Sequence, residues 1–213
     1  MSTSEEVFTD ICRGNRWGGT ESVSGGGSDL FQTRIVRETL PSVLRTFSAH
    51  SMLDIPCGDF HWMKHVDLES IDYTGADLVM DLVRRNSQQH QSPNVHFCKL
   101  NLLEDKLPKV DVVFCRDCLV HLSFKDVLIA LHNICGSDST YLFTTTFTSR
   151  QHNSDIVTGA WRTLNLQVAP FSFPPPLILI DEECTEGDGA FGDKSLGLWK
   201  VSDIRESLTK HSN

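Results

Sequence analysis

The stretch of sequence that decides the fold is residues 53–60, LDIPCGDF. It continues an apolar run, Ser51–Ile55, which predicts a β-strand. Gly58 lets the backbone turn tightly and approach a ligand, and Asp59 is a candidate N-cap for a short helix over Phe60–Val66. A strand, a tight turn and a helix in this order are typical of a nucleotide-binding site.

Short apolar runs and helical patterns alternate on both sides of this stretch. Upstream, one helix is predicted from the apolar positions Val36, Leu40, Val43, Leu44 and Phe47. Pro41 is expected to kink this helix or to open a second one. Downstream, helices are predicted over 78–83 and Phe124–Ile134, and strands over Tyr73–Ala76, Val95–Leu100, Asp111–Cys115 and Tyr141–Phe147. The alternation predicts a Rossmann-like, doubly wound α/β fold with a mostly parallel sheet and helices on both faces.

After Phe147 the alternation lapses. Residues 148–176 are polar and then proline-rich. This segment is too long for an ordinary connection and is a candidate functional loop. Leu177–Ile180 and Leu196–Val201 are predicted to supply two last strands in antiparallel orientation.

The acidic residue that ends the second predicted strand indicates which ligand the turn binds. Asp77 follows Gly58 by 77 − 58 = 19 residues, near the spacing at which a carboxylate accepts hydrogen bonds from ribose hydroxyls. NAD has the same ribose, but its pyrophosphate needs several glycines at a helix N-terminus, and this turn has one glycine, a proline and an aspartate. S-adenosylmethionine has no phosphate and two cationic groups, which an acidic pocket suits. The residues therefore favour S-adenosylmethionine.

Composition excludes several other classes of protein. Of the 213 residues, 39% are hydrophobic and 22% charged, as in globular domains. A net charge of −9 argues against a nucleic-acid-binding surface, and no uncharged apolar run approaches the roughly 20 residues that span a bilayer. Seven cysteines, an odd number without an apolar leader, favour a reducing, cytosolic setting.

The first 28 residues differ in composition from the rest. Residues 13–28 hold 6 of the 14 glycines, which is typical of a linker, but Trp17 has nothing to gain in a mobile tether. We therefore divide the chain into an N-terminal flap or linker, 1–28, and one α/β domain, 29–213. The glycines are expected to act as hinges, and the residues expected to close over the cofactor are Trp17, Ser24, Gly25 and Ser28.

Four segments carry a more specific resemblance: residues 53–63 (LDIPCGDFHWM), 73–79 (YTGADLV), 115–131 (CRDCLVHLSFKDVLIAL) and 153–176 (NSDIVTGAWRTLNLQVAPFSFPPP). They resemble class I methyltransferases that are found with glycosyltransferases in bacterial surface-glycan pathways. The chain is also similar to the methyltransferase modules of glycan-building proteins in large algal viruses, the chloroviruses. The resemblance runs from about Asn15 to Trp199, nearly the whole chain.

The resemblance implies a seven-stranded sheet and methyl transfer from S-adenosylmethionine to a sugar hydroxyl, with L-rhamnose as an expected acceptor. It also implies a glycan, a nucleotide-sugar or an oligosaccharide as the acceptor molecule. Glycosyltransferases are the expected partners, fused to this domain or working with it. The setting is the cytoplasm, which for a viral protein is that of the host.

Carried onto this sequence, the resemblance places the turn around the methionine part of the cofactor, through Asp54, Cys57 and Gly58, and Asp77 on the ribose. The position after the third strand usually holds an aspartate that faces adenine. Here it is Asn101, which can accept through its amide oxygen but brings no charge. The remaining expected cofactor contacts are Pro56, Leu78, Leu102 and Arg116.

Two residues after the fourth predicted strand are candidates for catalysis. A sugar hydroxyl needs a general base, and His121 titrates near neutral pH. Asp117 can act as base, orient a base or accept from the cofactor's ammonium. The alternative makes Asp117 an N-cap and His121 a helix-face residue with local partners. We take Asp117 and His121 as the candidate catalytic pair.

The long loop supplies candidates for acceptor binding, because sugars are bound by planar polar groups and an aromatic face. Its candidates are Asn153, Asp155, Trp161, Arg162 and Asn165, of which we favour Asp155, Trp161 and Arg162. The alternative for Trp161 is a place in the core.

No metal site is predicted. Asp117, Asp155 and the acidic run 181–183 have suitable oxygens, but no spacing specifies a site, and the run is expected to be a solvated face. Cys115 and Cys118 lack a second pair with zinc spacing and are expected to be packing residues.

Three other functions remain open. The same fold can methylate a small molecule or a protein side chain, and an amine acceptor would have less need of His121 as a base. A module that binds the cofactor without turnover is the second alternative, and it would transfer no methyl group to an acceptor in a labelled-methyl assay. The third alternative is a dehydrogenase that uses NAD. Calorimetric titration with NAD and with S-adenosylmethionine would distinguish it from a methyltransferase.

Overall fold

The computed structural model describes residues 3–210. Within this range the helices are α1 (Ser4–Arg13), α2 (Arg34–Thr46), α3 (Met80–His90), α4 (Phe124–Gly136) and α5 (Val201–Lys210). The strands are β1 (Ser51–Asp54), β2 (Asp72–Asp77), β3 (Val95–Lys99), β4 (Val112–Cys115), β5 (Tyr141–Phe147), β6 (Ile178–Asp181) and β7 (Lys194–Lys200). None of the helices in residues 3–210 is long and apolar enough to cross a membrane.

The strands form one seven-stranded sheet in the order β3-β2-β1-β4-β5-β7-β6. The strands β1 to β5 pair in parallel, whereas β7 runs antiparallel to β5 and to β6. This confirms the prediction of a mostly parallel sheet with two final antiparallel strands. The strand order reverses between β1 and β4, and a parallel sheet leaves a crevice for ligands at the carboxyl ends of such strands.

Each face of the sheet has its own apolar core. On one face α2 buries Val36, Leu40 and Leu44 against Phe114 and Phe143. On the other face, α4 and α5 pack together with part of the loop that follows β5. Each such side chain contributes about 1.5–3 kcal/mol when it is fully buried. The two cores hold the sheet rigid, so that its edge can position side chains.

The prediction of a helix over Phe60–Val66 is wrong. Only a short 3₁₀ turn, Met63–His65, lies there, and Asp59 does not cap it. The Asp59 carboxylate instead accepts hydrogen bonds from Ser22 Oγ at 2.9 Å and from the Val23 N–H at 3.1 Å. The residue that was predicted to begin a helix therefore holds the glycine-rich segment against the turn.

A second helix starting at Pro41 is also wrong, because Pro41 lies inside α2. The missing N–H of Pro41 removes one hydrogen bond from this helix. The apolar face of α2 continues past the proline through Val43 and Leu44, both buried. Burial of that face offsets the lost bond.

The N-terminal segment, predicted as a flap or a linker, begins with a helix that was not predicted. Helix α1 starts with a capping box, in which Thr3 Oγ1 accepts from the Glu6 N–H and the Glu6 carboxylate accepts from the Thr3 N–H. A 3₁₀ turn, Gly26–Ser28, follows the glycines. Trp17 lies against His121 of the α/β domain, with ring centroids 4.9 Å apart. The segment therefore packs on the domain as an ordered cover.

Candidate active site

A cavity opens at the carboxyl ends of β1, β2 and β4, where the strand order reverses. Including its mouth to solvent it measures about 1180 Å³, which is room for a ligand of nucleoside size. Side chains of α1 and of the glycine-rich segment cover its outer side. The predicted site residues that line it are Trp17, Ser24, Ser28, Asp54, Pro56, Cys57, Gly58, Asp77, Leu78, Asn101, Leu102, Arg116, Asp117 and His121.

The turn after β1 is fastened to the end of β2. The Cys57 N–H donates to Ala76 O at 2.9 Å, and the Gly58 N–H donates to Asp77 Oδ2 at 3.0 Å. Gly58 has a φ of 56°, a left-handed conformation that favours glycine, and a Cβ there would collide with Ser24 Oγ. The turn therefore requires glycine at this position.

Asn86, on α3, completes the support of the turn and was not predicted. Its Nδ2 donates to Gly58 O at 2.8 Å and contacts Cys57 Sγ at 3.8 Å. Asn86 follows Leu82 by four residues and Val83 by three, and all three are buried. Helical spacing therefore places Asn86 on the buried face, and this was a usable sequence signal.

Two carboxylates are buried at the floor of the cavity, on neighbouring strands. Asp54 Oδ2 accepts from the Tyr73 hydroxyl at 2.6 Å, and Asp77 Oδ1 accepts from the Val79 N–H at 2.8 Å. Burial raises the pKa of Asp54 to about 7 and the pKa of Asp77 to about 6. A cation in the cavity would favour the ionised form of both groups.

His121 lies in a 3₁₀ turn, Leu119–His121, just after β4. Its Nδ1 is 2.9 Å from Ala160 O, and a carbonyl oxygen only accepts, so Nδ1 carries the proton. Burial lowers the pKa of His121, so the ring is neutral at pH 7. Nε2 then carries the lone pair, which is the tautomer that a general base needs.

Asp117 is a weaker candidate for the base than His121. Burial by itself would raise the pKa of Asp117, but the charges of Lys194 and Arg116 outweigh burial and lower the pKa to about 2. Asp117 Oδ2 lies 2.6 Å from Lys194 Nζ and 3.2 Å from Arg116 Nη1. The low pKa makes Asp117 a weak proton acceptor at neutral pH, and its catalytic role stays a prediction. A role as N-cap is wrong, because Cys118 precedes the 3₁₀ turn without a side-chain cap bond.

Arg116 lines the cavity, but its guanidinium bonds to protein groups. Nη2 donates to Glu182 Oε2 at 2.6 Å and to Gly27 O at 2.9 Å, and Nε donates to Glu182 Oε2 at 3.1 Å. The ring of Trp62 covers it, with Cζ 5.5 Å from the centroid. Arg116 therefore fixes the cavity wall, which differs from the direct cofactor contact that the sequence predicted.

Asn101, at the end of β3, lies at the other end of the cavity. Its Oδ1 accepts from the Leu103 N–H at 2.9 Å, and its Nδ2 is 3.4 Å from Ser4 Oγ of α1. Helix α1 also contributes Phe8 and Cys12 to the cavity. The capping box and the apolar spacing of α1 were sequence signals for this helix.

None of the five loop residues considered for acceptor binding lines the cavity. Arg162 donates to Leu119 O and Leu122 O at 2.9 and 2.8 Å, which gives it a structural role in holding the long loop against the 3₁₀ turn of His121. Asp155 accepts from the Phe124 N–H at 2.6 Å, at the start of α4. The Arg162 guanidinium is therefore taken up by main-chain oxygens, and its acceptor contact stays a prediction.

Trp161 and Gly25 do not line the cavity either. The Trp161 ring is 44% exposed and packs edge-on against Phe191 at 4.8 Å, so it is not a core residue. A Cβ at Gly25 would meet the Cβ of Trp17 at 3.1 Å, which indicates that Gly25 makes room for Trp17. The loop residues Asn153 and Asn165 bond to main-chain groups of the loop itself.

The acidic run 181–183 is not a uniformly solvated face. Asp181 and Glu183 are exposed, but Glu182 is only 1% exposed because its side chain points to Arg116. Among residues 3–210, no group of three His, Cys, Asp or Glu side chains is placed to hold a metal ion. The cysteines in that range, Cys115 and Cys118 included, are free thiols.

No protein-family model matches the chain, and no curated protein matches it. Solved structures do match. The chain aligns with magnesium protoporphyrin IX methyltransferase (ChlM) from Synechocystis PCC 6803 with bound SAM, at a TM-score of 0.52 and 14% identity, over 73% of this chain and 81% of that one. The chain has a Rossmann-like methyltransferase fold.

Two further structures with methyltransferase folds also match. The methyltransferase domain of bacterial CtHen1 aligns with a TM-score of 0.47 and 15% identity, over 55% of this chain and 67% of that one. An O-methyltransferase family protein from Burkholderia thailandensis aligns with a TM-score of 0.42 and 24% identity, over 57% of this chain and 41% of that one.

The substitution Asp54→Asn tests the burial of this carboxylate. A carboxylate with a raised pKa stabilises the fold below the unfolded pKa, near 4, and this contribution is lost as pH rises through about 7. The amide still accepts from Tyr73, so we expect the variant to be about 2–4 kcal/mol more stable than wild type at pH 8. The difference should shrink as pH falls below 7 and should nearly vanish near pH 3, below the unfolded pKa. Denaturant unfolding of the ligand-free protein measures it, with exposed Asp72→Asn as the control.

The substitution Asn86→Ala tests the support of the turn. It removes the hydrogen bond to Gly58 O and should cost about 1–3 kcal/mol of unfolding free energy, because a buried acceptor loses its donor. S-adenosylmethionine should bind about tenfold more weakly in calorimetric titration, since the turn loses its anchor. Gln88→Ala, exposed on the same helix, is the control. Unchanged binding by Asn86→Ala would contradict this role.

Proposed function

We propose that this protein is an S-adenosylmethionine-dependent O-methyltransferase that acts on a sugar hydroxyl of a glycan, with a deoxyhexose such as L-rhamnose as the expected sugar. The observation that carries the proposal is the tautomer of His121, whose Nε2 lone pair is available at the wall of a cavity. The floor of the same cavity buries Asp54 and Asp77.

The cavity fits a cationic adenosine derivative better than a dinucleotide. No helix begins at Asp59 in the described chain, so the turn lacks the row of N–H groups that binds a pyrophosphate. The Gly58 N–H is already bonded to Asp77. The ChlM structures, which contain SAM or SAH on the same fold, support this choice.

Several described residues would hold the cofactor. Asp77 has accepting positions left on both oxygens for ribose hydroxyls, and Asn101 Oδ1 has one for the adenine amine. Asp54 supplies negative charge for the cationic methionine part, whereas the charge of Asp117 is taken up by Lys194 and Arg116. The bound cofactor would supply a methyl carbon that is already activated for displacement.

His121 would take the proton of the acceptor hydroxyl at Nε2. Ala160 O holds the Nδ1 proton throughout and favours the positive ring that results. Asp117, ionised at neutral pH, also stabilises that ring. The stacked ring of Trp17 shields His121 from water, which strengthens these interactions.

The sugar acceptor is supported by the sequence resemblance and by one exposed aromatic side chain of the long loop. Trp161 presents a partly exposed aromatic ring next to Ala160, the residue that fixes the His121 tautomer. Sugar rings stack on such aromatic surfaces. Glycosyltransferases that build the acceptor glycan are the expected partners.

Incubation with S-adenosylmethionine and a panel of rhamnosides, read by product mass and methyl position, tests the proposal. We expect methylated glycosides from wild type and a kcat about 100-fold lower for His121→Gln, because the base is lost. Cofactor affinity should stay unchanged. His132→Gln, an exposed histidine on α4, is the control. The proposal would be contradicted if His121→Gln kept the wild-type kcat. It would also be contradicted if the protein methylated only amines, added to the panel as control acceptors.

Cofactor affinity should depend on pH. Asp54 and Asp77 have pKa values of about 7 and about 6, raised by burial, so both lose most of their charge by pH 5.5. S-adenosylmethionine should bind about tenfold more weakly at pH 5.5 than at pH 8, since two opposite charges are removed from its site.

S-adenosylhomocysteine lacks the sulfonium charge and should show a smaller change. Calorimetric titration of both ligands at the two pH values makes the comparison. Equal pH dependence for the two ligands would show that the carboxylates do not act on the sulfonium.

A further inference from the structure

A buried network of charges lies behind the cavity wall. It joins the residues after β4, the loop between β6 and the 3₁₀ turn Gly187–Gly189, and the start of β7, through Arg116, Asp117, Glu182, Glu186 and Lys194. The side chain of Arg116 is 4% exposed, that of Lys194 5% and that of Glu182 1%. Only Arg116 and Asp117 of this network line the cavity.

Lys194 is the centre of the network. Its Nζ lies 2.6 Å from Asp117 Oδ2, 3.8 Å from Glu182 Oε2 and 4.0 Å from Glu186 Oε2. Arg116 bridges the same two carboxylates, Asp117 and Glu182, from the other side. Glu182 Oε1 is buried without a hydrogen-bond partner. Apolar residues of similar size often stabilise a fold as well as such a network does, so stability alone gives no reason for it.

The network ends at a strained residue beside His121. Asp117 has a φ of 52°, which non-glycine residues rarely adopt, and such strain concentrates at functional sites. The Asp117 N–H donates to Thr145 Oγ1 at 2.8 Å, which together with Lys194 fixes the side chain. A Cβ added to Gly27 would meet Asp117 Oδ2 at 3.3 Å, so the glycine-rich segment closes the network from above.

We propose that Lys194 is a positioning residue for methyl transfer, which together with Arg116 holds the Asp117 carboxylate in place at the cavity wall that His121 also lines. This inference rests on the proposed function, in which His121 accepts the proton of the acceptor. Lys194 itself is not placed to touch the acceptor or the cofactor, since it does not line the cavity.

The charges around His121 give the direction of the effect. Burial lowers the pKa of His121, the Ala160 carbonyl and Asp117 raise it, and Arg162 and Lys194 lower it. Trp17, stacked on the ring from the N-terminal segment, is uncharged. Removing the Lys194 charge should therefore raise the pKa of His121. Asp117 should stay ionised at neutral pH, because Arg116 remains beside it.

The substitution Lys194→Met tests this. In wild type, kcat/KM falls on the acid side as His121 takes a proton. In the variant this limb should move to higher pH by about half a unit, and kcat should fall about tenfold because Asp117 is less well held. Lys194→Arg should restore the position of the limb. Lys200→Met, exposed at the end of the same strand, is the control.

A lower rate with an unmoved acid limb would overturn the inference, because it would mean that Lys194 only supports the fold. If Lys194→Met does not fold, the double variant Lys194→Met/Glu182→Gln removes the same cation without leaving Glu182 charged, and the same shift is expected.

Titration of the His121 ring by NMR, in the protein without cofactor or acceptor, separates this inference from the proposed function. The His121 signal is assigned by its absence in His121→Gln. A higher His121 pKa in Lys194→Met supports the inference even if His121 proves dispensable for turnover. An unchanged His121 pKa overturns it even if the protein methylates glycosides.

Discussion

Burial of two carboxylates at the ends of neighbouring parallel strands is the constraint on which the site depends. Parallel strands end at one edge of the sheet, so Asp54 and Asp77 meet there below the turn that contains Gly58. Neither forms an ion pair, and burial makes ionisation of both unfavourable. A cationic ligand relieves that penalty and a phosphate would increase it, so the floor of the cavity selects the charge of its ligand.

Above this floor, the carboxylate has cationic partners and the histidine beside it is uncharged. Asp117 is fully paired with Lys194 and Arg116 and stays ionised at every ordinary pH. His121, beside it, is uncharged and has one ring nitrogen fixed by Ala160 O. In the proposed function these groups have two separate tasks: Asp54 and Asp77 respond to the cofactor's charge, and Asp117 provides a constant field for His121 as the base.

The sequence was sufficient for the strands and for much of the cavity, because apolar alternation and the spacing of Gly58 and Asp77 are local signals. The sequence was insufficient to predict the segment after Asp59. An aspartate that caps a helix and an aspartate that accepts a hydrogen bond from a distant residue such as Ser22 look the same in sequence. The bonds of Arg162 were missed for a similar reason: nothing local shows that a main-chain oxygen 40 residues away accepts from its guanidinium. The pairing of Lys194 with Asp117 spans 77 residues and has no sequence signature.

A crystal structure of the protein with S-adenosylhomocysteine bound tests the central claim most directly. The account predicts that the ligand fills the cavity, with ribose hydroxyls about 2.6–3.2 Å from the Asp77 carboxylate and the amino-acid part at the turn that contains Gly58. A cavity that stays vacant at saturating ligand, or a ligand whose ribose lies away from Asp77, would contradict it.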